Sequence, residues 1–445
     1  MATEIKKLQA DTGAESATEQ YQRVRVLFAD QLNLARGKYV PYSFASHGCV
    51  RLCIGTYAVT YAHDLVPAPG AGMLEGLPDI EARFDPDALR PGWEPHTRVA
   101  IPDLYVGGER SGLCGRGALK RTIAEWQSLG YEPYIGFEGE AYVFQKGDDG
   151  KWVPYDTPGA FVYGTGPFID PAGLVDELWS AAHRCGLPIE SINAEYDSPQ
   201  FELTLRYADA LKACDDFFLF RTMARELLIR RGYLLSFMPK PIVKLGGNGL
   251  HVNLSFKDRD GRNAMAGGTG RPKLSELVSG CIAGLLKHHE TMTALLAPTV
   301  NSYQRLKPGG LCGYWANWGH DHRSVAVRVS GEQGPAARIE HRVADCAASP
   351  YVAATAVLQA ARLGFTNHYE LPPAETKDGL ENVSTDRHVP GTLSEALDAL
   401  KGDETLVDAV GRLLVENFIA VKRAEIEEVG EPKPERVFEY YSPFI

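Results

Sequence analysis

No uninterrupted apolar run in this sequence approaches the ~18 residues that a membrane-spanning helix needs, so no span is expected. The first twenty residues are polar and charged and lack the apolar centre of a secretory signal peptide. Cysteine is sparse and scattered. Of the eight, at positions 49, 53, 114, 185, 214, 281, 312 and 346, only Cys49 and Cys53 lie close together. None shows the paired spacing of a zinc ribbon or a disulfide framework, and buried, reduced thiols in a cytoplasmic protein are the expectation. Positive charge is also short: 46 Lys and Arg against 57 Asp and Glu leave a net charge of −11. That balance argues against nucleic acid or an anionic membrane as partner. No internal repeat or low-complexity tract interrupts the chain.

What remains is ordinary globular composition, 44% hydrophobic and 23% charged over 445 residues, long enough for two domains sharing an interface. Residues 1–18 read as a frayed or helical lead-in. Val24–Asp30 reads as a strand, and Leu34–Pro41 as a turn and second strand. The Pro-, Gly- and Asp-rich stretch from Pro67 to Pro95 suggests short strands and long loops. The Gly-rich segment Gly107–Gly117 reads as a linker, placing a small mixed domain at 1–107 and a larger one at 108–445. Leu119, Ile123 and Trp126 fall on one face of a helix over 118–126. Residues 132–144 read as a strand pair. Further helices are expected at 171–185, 207–231, 274–293, 350–364, 392–400 and 404–426, with strands at 200–206, 233–238, 249–256 and 323–329. The sum is an α+β protein.

The chemistry lies in a few polar motifs. Glu138 and Glu140 flank Gly139, and on a strand residues two apart share a face. Adjacent carboxylates repel unless a cation sits beside them. Glu195 and Glu202 bracket a Pro-containing turn that can fold both carboxylates toward one point. Oxygen-rich sites suit Mg²⁺ or Mn²⁺, and a lone His among carboxylates suits the softer of the two. His251, Asn253 and Ser255 alternate with Leu250, Val252 and Leu254 behind the glycines of Gly246-Gly247-Asn248-Gly249. One surface is therefore polar and the other apolar. Arg305, Arg323, Arg328, Arg338 and Arg342 form a basic complement able to hold carboxylate or phosphate in bidentate fashion. His320-Asp321-His322 and His288-His289 lack the spaced partners of a zinc site, and His288 and His289 are expected to end or flank a helix.

In order and content these motifs resemble the glutamine synthetase family, type I, over nearly the whole chain. The matching segments are 137–144, 186–203, 237–241 (Phe-Met-Pro-Lys-Pro), 248–255, 297–306, 323–328 and 338–342. The resemblance implies a small N-terminal β-grasp domain and a C-terminal catalytic domain with an open antiparallel β-barrel flanked by helices. It also implies a homo-oligomer, usually a dodecamer of two hexameric rings, with active sites between neighbouring subunits. ATP and two or three divalent ions (Mg²⁺ or Mn²⁺) per site are expected. Carried over, the resemblance puts Glu140, Glu195 and Glu202 around one metal and Glu138, His251 and Glu340 around a second. Arg305, Arg323 and Arg342, with Gly247, would hold glutamate and the transferred phosphoryl group. Asn253, Ser255, Arg328 and Arg338 would lie toward ATP. The implied reaction moves the γ-phosphoryl group to the glutamate side chain, and a nitrogen nucleophile then displaces phosphate.

Departures from the pattern point to the nucleophile. Where the family carries an acid that deprotonates ammonium, just beyond Arg305-Leu306, this sequence has Leu311. The N-terminal loop carrying the second ammonium-binding Asp is not recognisable around residues 42–58. Asn253 replaces a His, and Gly246-Gly247 replaces an Asn-Gly. The adenylylated Tyr loop of some bacterial members is not evident. Ammonium needs a polar, anionic cage, whereas an alkylamine needs one apolar side. Leu311, with Tyr314, Trp315 and Trp318 close by in sequence, suits a methyl group. The expectation is a glutamate–amine ligase of the γ-glutamylalkylamide type, methylamine leading. The alternatives are glutamine synthetase itself, with Glu332 or Asp321 supplying the acid, a ligase for ethanolamine, isopropylamine or a polyamine, or a catalytically silent assembly.

Overall fold

A computed structural model describes residues 21–268 and 274–445; the expected lead-in at 1–18 lies outside them. The first strands follow the alternation read from sequence: β1 (Arg23–Ala29) buries Val24 and Val26 and pairs antiparallel with β2 (Ala35–Pro41). After β3 (Cys49–Cys53) and β4 (Asp79–Arg83) come β5 (Arg90–Pro91), β6 (Thr97–Ala100), β7 (Asp103–Val106) and β8 (Glu109–Arg110). They form two four-stranded sheets, ordered β2-β1-β6-β5 and β3-β4-β7-β8, with β1 and β6 parallel, a β-grasp-like arrangement. The segment expected as a linker is structured: Gly107 and Gly108 turn the β7–β8 hairpin with positive φ, and Cys114 caps the helix Gly115–Ser128.

The larger part is built on one ten-stranded sheet that does not close. Its axis is β9 (Glu132–Lys146), a single strand of 15 residues where sequence suggested a pair. Around it stand β10 (Trp152–Pro154), β11 (Ile189–Ala194), β12 (Gln200–Leu205), β13 (Ala208–Asp209), β14 (Tyr233–Ser236) and β15 (Leu250–Lys257), then β16 (Trp318–His320), β17 (Val327–Val329) and β18 (Ile339–His341). The main path runs β11-β12-β9-β15-β18-β17-β16; every pair is antiparallel except β16–β17. The strand expected over 323–329 is only its last three residues, because Arg323 and Ser324 lie in the turn after β16.

Helices back the sheet. Phe217, on the helix Ala210–Arg230, packs with its ring centroid 5.1 Å from that of Phe137 of β9, and a side chain at Gly139 would collide with its ring. Trp126 packs 4.2 Å from Phe256 of β15. The helix expected over 274–293 is two, Glu276–Lys287 and His289–Leu296, broken at His288, whose Nδ1 lies 2.6 Å from Asp403 Oδ2. That over 404–426 likewise divides at Gly411, whose φ of 125° no helix accommodates. A last helix, Pro434–Tyr441, was not foreseen. The Arg25–Glu226 and Arg90–Asp216 ion pairs (2.6 and 2.7 Å) tie the N-terminal strands to the helix Ala210–Arg230. No described helix is long and apolar enough to cross a membrane.

Candidate active site

The register of the large sheet assembles the site. Glu202 of β12 stands opposite Glu140 of β9, and His251 of β15 opposite Glu138. Asn253 opposes Glu340 of β18, which in turn opposes Arg328 of β17. Because side chains alternate, these residues share one face, while Phe137, Leu203, Leu250, Val252, Leu254 and Ile339 occupy the other, all buried. Five strands thus lay an acidic belt across the sheet.

His251 is its centre. Its Nδ1 lies 3.3 Å from Glu138 Oε2 and 3.4 Å from Glu340 Oε1. A Cβ at Gly249 would lie 3.4 Å from both His251 Nε2 and Glu140 Oε1, and 2.8 Å from Arg305 Nη2, so only glycine leaves this space open. Among the described residues, two groups of donor atoms are close enough to share an ion: Glu138, His251 and Glu340, the set that the resemblance implied, and Glu140, Glu202 and His251. His251 therefore belongs to both groups. Glu195 joins neither; its Oε2 accepts the Tyr196 N–H at 2.9 Å, at the rim of the cluster.

Burial and mutual repulsion dominate the electrostatics. Burial first, then Glu138, pushes the Glu202 carboxyl up to about 7, and burial with Glu140 raises Glu195. Burial also opposes the charged form of Glu138, but contacts from His251 and Asn253 and the charge of Arg342 outweigh it and hold the group at about 2. Carboxyls raised by burial and by like-charged neighbours, as Glu202 and Glu195 are, are donors that a divalent cation returns to the charged state. Oxygen donors with a single imidazole fit Mg²⁺ or Mn²⁺, so the residues suit the ions that the motifs imply.

The arginines divide into distinct settings. Arg305 is buried under the Gly246–Gly249 turn and donates to the Val343 and Arg342 carbonyls (2.8 and 3.3 Å). Closeness to its Cβ and Cγ leaves no room for a side chain at Gly247. Arg342, also buried, bonds Glu340 and reaches the Leu311 carbonyl at 3.5 Å; its Nε has no partner among the described residues. Arg328 bridges Glu340 Oε2 (3.0 Å) and Asp321. Arg338 donates from Nε to Asn253 Oδ1 (3.1 Å), and Asn253 donates to Glu138 Oε1 (2.9 Å). Arg323 is exposed and pairs with no described residue.

Beside the belt opens a cavity of about 320 Å³ lined by Tyr134, Glu138, Tyr207, Asn253, Ser255 and Arg338 among others. It gathers three of the four residues expected to face ATP; Arg328 lies outside it. Leu311 is 56% exposed on the loop over the Arg342–Glu340 pair. The three aromatic residues close to it in sequence have partners of their own. Tyr314 stacks on His388 at 5.1 Å, Trp315 donates to the Leu380 carbonyl, and Trp318 is buried and donates to the Pro372 carbonyl. Of the two alternative acids, Asp321 is paired with Arg328 and Glu332 with Arg338. Sequence reading passed over Tyr134 and Tyr207. The only signal available was their place beside strands whose polar face was already identified.

Residues 112–441 match the family profile described as glutamine synthetase, catalytic domain. The glutamine synthetase of Pyrococcus abyssi is 33% identical over 434 residues, 93% of this chain and 92% of that one. That of Thermococcus kodakarensis is 34% identical over 378 residues, 80% and 81% of the two. Among solved structures, a glutamine synthase homolog superposes with a TM-score of 0.83 at 25% identity, covering 96% of this chain and 99% of that one. GmaS, a γ-glutamylmethylamide synthetase, superposes in its apo form with a TM-score of 0.79 at 28% identity, covering 93% and 94%. Its complex with ADP gives 0.80, also at 28%, covering 93% and 95%. With this fold and this acidic belt, the chain belongs to the glutamine synthetase family, whose members are ATP-dependent ligases of glutamate with ammonia or an amine.

Proposed function

We propose that this chain joins L-glutamate to a small primary amine, methylamine foremost, through γ-glutamyl phosphate, with ADP and phosphate as by-products. The observation that carries this reading is Leu311: where the motif match expects an acid for ammonium, an exposed apolar side chain sits on a loop bonded to the buried Arg342. The likeness to GmaS supports it. The curated relatives named glutamine synthetase favour the second reading, ligation of ammonium.

In the proposed roles, Glu138, His251 and Glu340 hold one divalent ion, and Glu140 and Glu202 hold another, with Glu195 at its rim. When bound, such ions offset the charge that develops as the γ-phosphoryl group is transferred. Asn253, Ser255 and Arg338 face the nucleotide through the cavity they line, and Arg328 acts one step back by holding Glu340. Gly247, Arg305 and Arg342 lie where glutamate would bind. Arg323, free and exposed, is able to swing onto the transferred phosphoryl group. The carbonyl contact from Arg342 positions the Leu311 loop at the amine. We further take 1–107 as a β-grasp domain and 108–445 as the catalytic domain, in a dodecamer of two hexameric rings. The eight free cysteines, six of them buried, accord with a reducing cytoplasm.

Phosphate release with glutamate, ATP and Mg²⁺ across ammonium, methylamine, ethylamine, isopropylamine, ethanolamine and putrescine decides between the readings. Preference for a short alkylamine is expected. Preference for ammonium makes the protein a glutamine synthetase whose deprotonating acid lies elsewhere, and no turnover with any amine points to a silent assembly.

A further inference from the structure

One buried side chain joins the two halves of the site and has no assigned role. Gln200 opens β12, two residues before Glu202, and is 4% exposed. Its Nε2 lies 2.9 Å from Asn248 Oδ1, 3.0 Å from the Gly247 carbonyl and 3.2 Å from Glu140 Oε2. The amide orientation follows from its neighbours. Asn248 Nδ2 donates to the Ser236 and Met238 carbonyls (3.2 and 2.8 Å), which turns Asn248 Oδ1 toward Gln200. Three acceptors therefore converge on one position, which calls for a donor there: the Gln200 NH₂ brings two hydrogens to share among them. Glu140 Oε2 also accepts the Gly249 N–H at 2.7 Å. That oxygen is thus occupied twice from within the chain, whereas Oε1 borders the space beside Gly249 that His251 Nε2 and Arg305 Nη2 also border.

We infer that Gln200 is a positioning residue: one amide group sets which oxygen of Glu140 is offered to a cation and clamps the Gly246–Gly249 turn that shapes the glutamate side of the site. The physical reason is the shared nitrogen. Losing it leaves Glu140 Oε2 held by the Gly249 N–H alone, and the Gly247 carbonyl and Asn248 Oδ1 unpaired in a buried setting, so the metal donor and the turn that carries Gly249 loosen together. The nucleotide cavity, which Gln200 does not line, stays as it was.

The inference about glutamate rests on the ligase reading; that about the metal donor does not. The test is Gln200→Met, which keeps length and removes the donors. Mn²⁺ is titrated into the resting protein without substrates, and KM is measured separately for glutamate and ATP. Binding of Mn²⁺ weakened by about tenfold or more is expected, within the 10–100-fold range for outer-shell partners. The KM for glutamate should rise by a similar factor, with that for ATP within about twofold. Unchanged Mn²⁺ affinity and glutamate KM would overturn the inference, as would a fall in kcat alone with a lowered melting temperature, the mark of a merely structural residue. If Gln200→Met does not fold, Gln200→Asn draws the same amide back by one methylene and should shift both quantities in the same direction. If the wild type releases no glutamate-dependent phosphate, the ligase reading fails, and the Mn²⁺ titration alone still judges Gln200.

Discussion

The two faces of the ten-stranded sheet are made by the same strands and the same alternation, yet they answer to opposite physics. On the helix-covered face, Phe137, Leu203, Val252 and Ile339 are buried and gain from leaving water. Even its polar intruder conforms: burial holds His341 down at about 3, so the ring there is neutral. On the other face, Glu138, Glu140, Glu202 and Glu340 are crowded together at a cost in burial and repulsion, which together push Glu202 up to about 7, burial being the larger cause. One face stabilises the fold. The other spends some of that stability on holding charges where a cation and a phosphoryl group can use them, as functional sites commonly do.

Substitutions on either side should separate these roles. The largest effect is expected from Glu140→Ala. Losing a donor of the acidic belt should cut phosphate release by more than the ~100-fold typical of outer-shell changes, with little change in melting temperature. Full retention of activity would remove Glu140 from the proposed metal site. Phe137→Ala, one pleat from Glu138 but on the opposite face, should do the reverse. About 3–5 kcal/mol of stability should be lost in denaturant unfolding, while kcat per folded molecule holds. A specific loss of kcat without destabilisation would contradict the division of the two faces.

Leu311→Glu, on the loop above the belt, should shift preference from methylamine toward ammonium by about tenfold in kcat/KM, roughly the weight of one hydrogen-bonded charge. An unchanged amine profile would show that Leu311 does not line the amine site. The smallest effect lies away from the sheet, at Asp403. Burial opposes its charge, but bonds from His288, Leu406 N–H and Thr291 prevail and hold it at about 2, below the ordinary 3.8. A depressed carboxyl contributes stability that is present above its unfolded value and lost as pH falls through the folded one. Asp403→Asn keeps a capping oxygen for the Leu406 N–H but removes the charge beside His288, and should therefore cost about 1 kcal/mol near neutrality, roughly the net weight of one hydrogen bond, with the gap closing between pH 4 and 2. A gap in melting temperature that does not narrow over that interval would dismiss the linkage.

Much of the site was legible because period-two alternation is local. Glu138 and Glu140 around Gly139, and His251, Asn253 and Ser255 among three apolar residues, declared their faces without any partner in view. The break at His288 was half legible, since His288 and His289 read as residues that end or flank a helix although the helix was drawn on to 293; that at Gly411 was not, since apolar periodicity continues across it. The partners of Tyr314, Trp315 and Trp318 were not legible for a non-local reason: His388, Leu380 and Pro372 lie far along the chain. Gln200 was equally invisible, because its role depends on acceptors from two distant segments, Glu140 of β9 and the Gly246–Gly249 turn.

By itself, then, the sequence determined which residues are acidic, which alternate, and which family's motifs they match, because side-chain chemistry and strand pleat are properties of neighbouring residues. Only the tertiary structure decided that Glu202 faces Glu140, that His251 stands between two carboxylate groups instead of serving one, and that Glu195 is left at the rim. Those outcomes depend on strand register and on which segments return to the same place, and both are set by the packing of the whole core.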